Sequence, residues 1–114
     1  MQELTDVDYS LRFIDIKKDS VTFLEKELAE YNCSTKNYFK NPENFVFVLD
    51  IDDKCDSSKL KSCVNKVGEG KVDLFVSIFS QLDSDIIELP PLINHLIVAL
   101  KIPVTFSYTI SLED

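Results

Sequence analysis

The stretch that decides the fold runs from residue 45 to residue 80 and contains two apolar segments on either side of a helical pattern. The first, Phe45-Val-Phe-Val-Leu-Asp-Ile51, is apolar on both faces, which favours a central strand. The second, Val72-Asp-Leu-Phe-Val-Ser-Ile-Phe-Ser80, has the alternation of a strand. Between them, apolar residues recur at helical spacing: Leu60, Cys63, Val64 and Val67. This order predicts a right-handed parallel strand–helix–strand unit.

The ends of this central helix carry their own signals. Asp56, Ser57 or Ser58 can cap its start, and Gly68 can end it.

The same patterns extend outward from this unit in both directions. Upstream, Tyr9–Ile16 predicts a strand, and the next helix carries Val21 and Leu24 after a cap at Asp19 or Ser20. The polar segment that follows is either a loop or a short strand at 35–39 that turns over 40–44. Downstream, Pro90-Pro91 begins a third helix, and residues 104–112 alternate throughout as a last strand.

The last strand indicates how the layers are arranged. Its apolar positions Val104, Phe106 and Tyr108 alternate with Thr105 and Ser107, so one face of the sheet is polar. Helices therefore cover mainly the other face. We predict one α+β domain over residues 1–114, a single mixed four- or five-stranded sheet with about three helices mainly on one face.

Composition excludes several functional classes. The net charge of −8 on 114 residues would repel nucleic acid. The longest apolar run, residues 96–100, is too short to span a bilayer, and the acidic start lacks the features of a secretory signal. We therefore expect a cytoplasmic protein that binds neither nucleic acid nor membrane. Cys33, Cys55 and Cys63 follow no metal-binding spacing, so no metal or other cofactor is expected.

Carboxylates follow both strands of the central unit. If those strands are parallel, the segments that leave them emerge at one edge of the sheet. We call the residues that would meet there the acidic rim: Asp50, Asp52, Asp53, Asp56, Asp83, Asp85 and Glu88. Such a rim would attract and steer a basic protein partner.

Two aromatic residues suggest a second binding surface. Phe75 and Phe79 lie on the other face of their strand, next to Val46 and Val48. They would be exposed unless the 35–39 segment, a second subunit or a partner covers them. An obligate homodimer through this face is therefore one alternative, and a partner anchored on these aromatics is another.

Motifs for catalysis are few. Leu49-Asp-Ile-Asp-Asp-Lys54 resembles the first motif of the haloacid-dehalogenase phosphatases, which would make Asp50 the nucleophile and Asp52 the acid/base of a small Mg²⁺-dependent phosphohydrolase. That family needs more parallel sheet than this chain offers. The single histidine, His95, lies in an apolar helix pattern, and two glycines cannot form a phosphate-binding loop. We therefore expect no catalytic residues and no enzymatic activity.

Four segments of the chain resemble a class of small bacterial proteins. The resemblance is carried by Tyr9-Ser-Leu-Arg-Phe13, Leu74-Phe-Val-Ser-Ile-Phe79, the segment 88–96 and the segment 101–110. Together these resemble small α+β bacterial domains, some of which are immunity proteins (antitoxins) of polymorphic toxin systems, including contact-dependent growth inhibition. The resemblance implies a toxin inhibitor that acts by protein–protein interaction, masking the active site or substrate surface of a cognate toxin domain, commonly a basic nuclease. It assigns no functional residue.

Overall fold

The computed structural model describes residues 5–82 and 86–110, which form five strands and three helices. The elements in chain order are β1 (Thr5–Ile16), α1 (Lys18–Glu27), β2 (Cys33–Tyr38), β3 (Asn41–Asp50), α2 (Ser57–Val67), β4 (Lys71–Ser80), α3 (Pro91–Leu100) and β5 (Val104–Ile110). The strands form one mixed sheet, which confirms the predicted α+β class.

The strand order is β2-β3-β1-β4-β5. Strand β1 is antiparallel to both β3 and β4, so these two run parallel as predicted, but they are not neighbours. The β3–α2–β4 connection is long enough to cross over one strand, and β1 occupies the place between them. The only parallel neighbours among the described strands are β4 and β5, which α3 connects.

All three helices pack on one face of the sheet. Alternate side chains of β1 and β3, such as Leu11 and Phe47, point into the helix layer and are fully buried. The rings of Phe13 and Phe47, which face each other across the two strands, meet edge to face at 6.2 Å between centroids. Each helix contributes to the same core: Val21, Leu24 and Leu28 from the α1 region, Leu60 and Cys63 from α2, and Leu96 and Leu100 from α3. Burial of each large side chain contributes about 1.5–3 kcal/mol.

None of the three described helices lies on the opposite face of the sheet, and we call it the open face. Its side chains include Arg12, Val48, Asp73 and Phe75. The 35–39 segment does not cover it, because residues 33–38 extend the sheet sideways as β2. The predicted hairpin is present, with a tighter turn at Phe39-Lys40 and a β3 strand that begins at Asn41.

Helices α2 and α1 begin in different ways. The Asp56 carboxylate caps α2 by accepting from the Ser58 N–H at 2.9 Å, and Gly68 ends α2 at φ 60°, both as predicted. The expected cap of α1 at Asp19 or Ser20 is wrong. Glu69 provides it from a distant part of the chain, since its carboxylate accepts from the Lys17 N–H at 2.7 Å and from the Ser20 hydroxyl at 2.8 Å.

The apolar residues of β5 lie on the helix-bearing face, but they are not covered. Val76 on β4 is fully buried, whereas Phe106, which pairs with it on β5, is 59% exposed. The helix layer therefore stops short of this edge strand. Residues 111 and 112, predicted to continue β5, lie outside the described residues.

Candidate functional site

The end of β3 places four carboxylates of the acidic rim together. Asp50 is the last residue of β3, and Asp52, Asp53 and Asp56 lie in the short connection to α2. All four are exposed. Because the connection is so short, these charges stay close to the end of the strand.

Local hydrogen bonds orient three of these carboxylates. Asp50 accepts from the side-chain amide of Asn32 at 2.8 Å. Asp52 accepts from the Lys54 N–H at 2.8 Å, and Asp56 accepts from the α2 backbone as its cap. A carboxylate has about four acceptor positions, so each can still receive hydrogen bonds from a partner.

Two further carboxylates, which the sequence pattern did not predict as part of this site, lie at the same end of the sheet. Asp6 and Asp8 are exposed residues in the first half of β1, which begins at Thr5 rather than at Tyr9 as predicted. Since β1 is antiparallel to β3, its start lies where β3 ends. The alternation Thr5-Asp-Val-Asp-Tyr9 could have revealed this earlier start, but its strand signal is weakened by two aspartates.

A groove joins the two groups of carboxylates. Asp50 pairs with Ser10, and β1 continues for another five residues to Thr5 without β3 beside it. The resulting notch forms a cavity of about 350 Å³, lined by Val7, Asp8, Tyr9, Asp50 and Ile51. The backbone closes its base, where the Ile51 N–H donates to the Tyr9 carbonyl at 2.9 Å. We call this cavity the acidic groove.

The predicted second half of the acidic rim is further away along the sheet. Ser80 pairs with Thr5, whereas Asp50 pairs with Ser10, so β4 ends five residues beyond β3, about 17 Å along the strands. Glu88 follows β4 and is exposed, but it does not line the acidic groove. Asp83 and Asp85 lie outside the described residues.

The carboxylates of the groove lack cationic partners within the described chain. The ion pairs of residues 5–82 and 86–110 join Arg12 to Asp73 and Lys59 to Glu30. Neither pair includes a residue of the groove. The negative charge of the groove therefore faces solvent.

The two predicted aromatic residues have different environments. Phe75 is half-buried beneath the Arg12 guanidinium, whose central carbon lies 4.0 Å from the ring centroid. Phe79 is 52% exposed. The aromatic surface on the open face is thus smaller than expected, because Arg12 covers part of it.

Arg12 is held in that position by a network across three strands. Its guanidinium donates to both oxygens of Asp73, from Nε at 2.8 Å and from Nη2 at 2.5 Å, and the Thr105 hydroxyl donates to Asp73 at 2.7 Å. Burial acts to raise the pKa of Asp73, but these hydrogen bonds and the charge of Arg12 outweigh it and hold the pKa below its ordinary value.

The cysteine thiols are poorly suited to nucleophilic chemistry. All three cysteines are free. Burial, together with the nearby charge of Asp50, raises the pKa of Cys33 to about 11. Burial likewise raises the pKa values of Cys55 and Cys63. The thiolate is the reactive form, so raised pKa values disfavour nucleophilic chemistry at these residues. Cys55 and Cys63 lie in the hydrophobic core, and Cys33 packs against it.

The histidine forms a contact between helices. His95 Nε2 lies 3.1 Å from the Ser57 hydroxyl, joining α3 to the start of α2. Neither residue lines the acidic groove or the cavities beside Val48 and Pro103. The described parts of the chain contain no cluster of three or more His, Cys, Asp or Glu side chains that could hold a metal ion.

No protein-family model, curated protein or solved structure matches this chain.

Within residues 5–82 and 86–110, none of the helices has the length and apolar character needed to cross a membrane.

Proposed function

We propose that this chain is a cytoplasmic immunity protein that binds a cognate toxin domain, a basic nuclease, through the acidic groove and the carboxylates beside it. The observation that carries the proposal is the pair of carboxylates, Asp8 and Asp50, which come from neighbouring strands and line one groove with Tyr9. The class resemblance of the sequence supports the choice of partner.

The groove is suited to a long cationic side chain. Its volume, about 350 Å³, is at the lower end of the range for ligand pockets. Asp8 and Asp50 lie on the same face of the sheet, the open face, because Asp50 pairs with Ser10, two residues along β1 from Asp8. A lysine or arginine that enters the groove from that face would meet both carboxylates. Asp6 on β1 and Asp52 and Asp53 after β3 are exposed at the same end of the sheet and add further negative charge there. The groove thus provides an anchor, and its surroundings provide electrostatic steering.

This arrangement inhibits a nuclease by a simple physical mechanism. A nuclease binds its substrate through lysines and arginines that neutralise phosphates. An acidic surface that occupies those same side chains excludes the nucleic acid, without any chemical step by the inhibitor.

The alternative of an Mg²⁺-dependent phosphohydrolase receives less support from the fold. Strand β3, which carries the Asp50 and Asp52 motif, has antiparallel neighbours on both sides, β1 and β2. The phosphatase motif requires a parallel sheet around that strand.

The proposal is tested with the toxin domain encoded next to this chain's gene. We expect Asp8→Lys and Asp50→Lys each to weaken binding to that domain at least about tenfold, since each places a cation in the groove. Binding is measured by interferometry, and protection by survival of cells that co-express the toxin domain.

The matched control is Glu43→Lys, which changes the net charge equally at an exposed position near the other end of β3. It should bind as the unaltered chain does. An equal loss of binding affinity in all three variants would show that only net charge matters. A neighbouring gene that encodes no toxin would overturn the proposed immunity function.

A further inference from the structure

Within residues 5–82 and 86–110, no strand pairs with the outer edge of β5, which offers a regular row of backbone hydrogen-bonding groups. The Leu74 N–H donates to the Pro103 carbonyl at 2.9 Å, which shows that residue 103 directs its backbone groups toward β4. Backbone direction alternates along a strand. Thr105, Ser107 and Thr109 therefore also bond to β4, while the N–H and C=O groups of residues 104, 106, 108 and 110 point outward.

The two edge strands of the sheet differ in how they are protected. Strand β2 has the usual safeguards, namely a charged residue, Lys36, and a register irregularity between Asn37 and Tyr38. Strand β5, Val-Thr-Phe-Ser-Tyr-Thr-Ile, contains no charge, no proline, no glycine and no irregularity in its pairing with β4. An edge of this kind is a template for another strand.

The side chains along this edge are also exposed and apolar. Phe106 is 59% exposed, and Tyr108 and Ile110 are exposed on the same face. In a chain of net charge −8, an uncharged edge is where two copies can approach without opposing like charges.

The sequence of β5 indicates which strand fits there. Read from either end, Val104 to Ile110 has the same chemical order: a β-branched aliphatic residue, threonine, an aromatic residue, and serine at the centre. An antiparallel pair of two such strands places like opposite like, Thr105 against Thr109 and Phe106 against Tyr108. Aromatic pairs and threonine pairs of this kind stabilise neighbouring strands.

We infer that the protein forms a homodimer in which the β5 strands of two copies pair antiparallel about a two-fold axis at Ser107. In this register the outward residues 104 and 106 of one copy face 110 and 108 of the other, so every outward N–H meets a carbonyl. The two sheets join into one of ten strands. With the axis perpendicular to the sheet, both helix layers lie on the same face, and the aromatic rows meet on that face.

The dimer leaves the proposed partner site accessible. Strand β3, which contributes Asp50 to the acidic groove, is three strands away from the β5 edge, about 14 Å. The inference does not depend on the proposed function, and each can fail alone.

Sedimentation velocity over about 1–500 μM protein measures the dissociation constant of the dimer. Ser107 faces itself across the axis in a non-hydrogen-bonded pair, where opposite Cα atoms are about 4.5 Å apart. We therefore expect Ser107→Lys and Ser107→Glu each to raise the dimer dissociation constant about tenfold or more, because like charges then face each other. An equimolar mixture of the two variants should dimerise again, since opposite charges then meet.

Ser34→Lys is the matched control, because it places the same charge on the open face of the other edge strand and should leave the dimer intact. Asp8→Lys, which tests the acidic groove, should also leave it intact. An unaltered chain that stays monomeric at every concentration would overturn the inference. So would a dimer that persists in both Ser107 variants.

Hydrogen exchange gives a second measurement that needs no substitution. The amides of Phe106 and Tyr108 should exchange at least about tenfold more slowly in concentrated than in dilute protein. The amide of Thr35, which by the same alternation points away from β3, is the internal control and should not change. Concentration-independent exchange at 106 and 108 would contradict pairing at this edge.

Discussion

At the scale of single residues, the most informative side chain is Asp73, because it is a buried charge on the open face. It is 8% exposed and binds Arg12 from β1 and Thr105 from β5. Three strands are therefore joined by one carboxylate. A buried carboxylate is stable only when it is paired and hydrogen-bonded, and both conditions are met here.

We predict that Asp73→Asn lowers the free energy of unfolding by about 1–3 kcal/mol at pH 7. The pKa of Asp73 is lower in the folded state than in the unfolded chain. The stabilisation by the Asp73 charge is therefore fully present at pH values above the pKa of the unfolded chain, about 3.9. It is lost as the pH falls through the lower pKa of the folded state. Urea denaturation at pH 7 and near pH 2.5 measures the difference in the free energy of unfolding between the unaltered chain and Asp73→Asn. This difference should be smaller at the lower pH.

Asp53→Asn is the control for this prediction, because Asp53 is exposed and lies in the connection before α2. It should change stability by less than about 0.5 kcal/mol. If Asp73→Asn cost the same at both pH values, its charge would contribute nothing, and only its packing would matter.

At the scale of elements, the turn before β4 depends on one glycine. Gly70 has φ 67°, and a Cβ atom there would lie 2.2 Å from the Ile14 carbonyl oxygen and 2.7 Å from that of Asp15. Asp15 itself has φ 65° and interrupts the register between β1 and β3. The bulge and the turn therefore pack backbone against backbone, which only glycine permits.

We predict that Gly70→Ala lowers the free energy of unfolding by about 3 kcal/mol or more, because the opposing atoms are backbone atoms and cannot move aside cheaply. Gly68→Ala is the matched control. Gly68 has a similar φ of 60°, but its Cβ would come no closer than 4.0 Å to another atom, the Lys66 carbonyl oxygen. Gly68→Ala should lower the free energy of unfolding only by the conformational strain, about 1–2 kcal/mol. Thermal or urea denaturation measures both variants. Equal losses for the two variants would contradict the packing argument.

At the scale of the whole molecule, the distribution of charge matters more than its sum. The acidic groove and the uncharged β5 edge lie in different parts of one sheet, so a dimer can present two grooves. In the proposed complex, the net charge of −8 would attract a basic partner from a distance, and the groove would then orient that partner.

We predict that the association rate with the toxin domain falls about tenfold or more between 0.05 and 0.5 M NaCl, while the dissociation rate changes little. Stopped-flow fluorescence or interferometry measures both rates. The double variant Asp8→Asn/Asp50→Asn should show a shallower salt dependence. An association rate that is independent of salt would rule out electrostatic steering.

Much of this architecture is predictable because it depends on local periodicity. The strands around Phe47 and Val76, and the helix between Asp56 and Gly68, follow from alternation, helical spacing and end signals that act over a few residues. The carboxylates after β3 are predictable for the same reason, since their place depends only on where one strand ends.

Other features escaped prediction because distant segments create them. The Glu69 cap of α1 and the cover of Phe75 by Arg12 join residues that are far apart in the chain. Asp6 and Asp8 were missed because the start of β1 contains aspartates that are unfavourable in strands, and pairing with β4 outweighs that local preference.

By itself, the sequence determined the α+β class, the helix layer on one face and an excess of negative charge, because each depends on composition or on short-range patterns. Only the tertiary structure decided that β1 lies between β3 and β4. That placement forms the acidic groove beyond the end of β3 and leaves β5 at an open edge. Strand order depends on long-range pairing, which is set by how the apolar faces of all five strands are buried together.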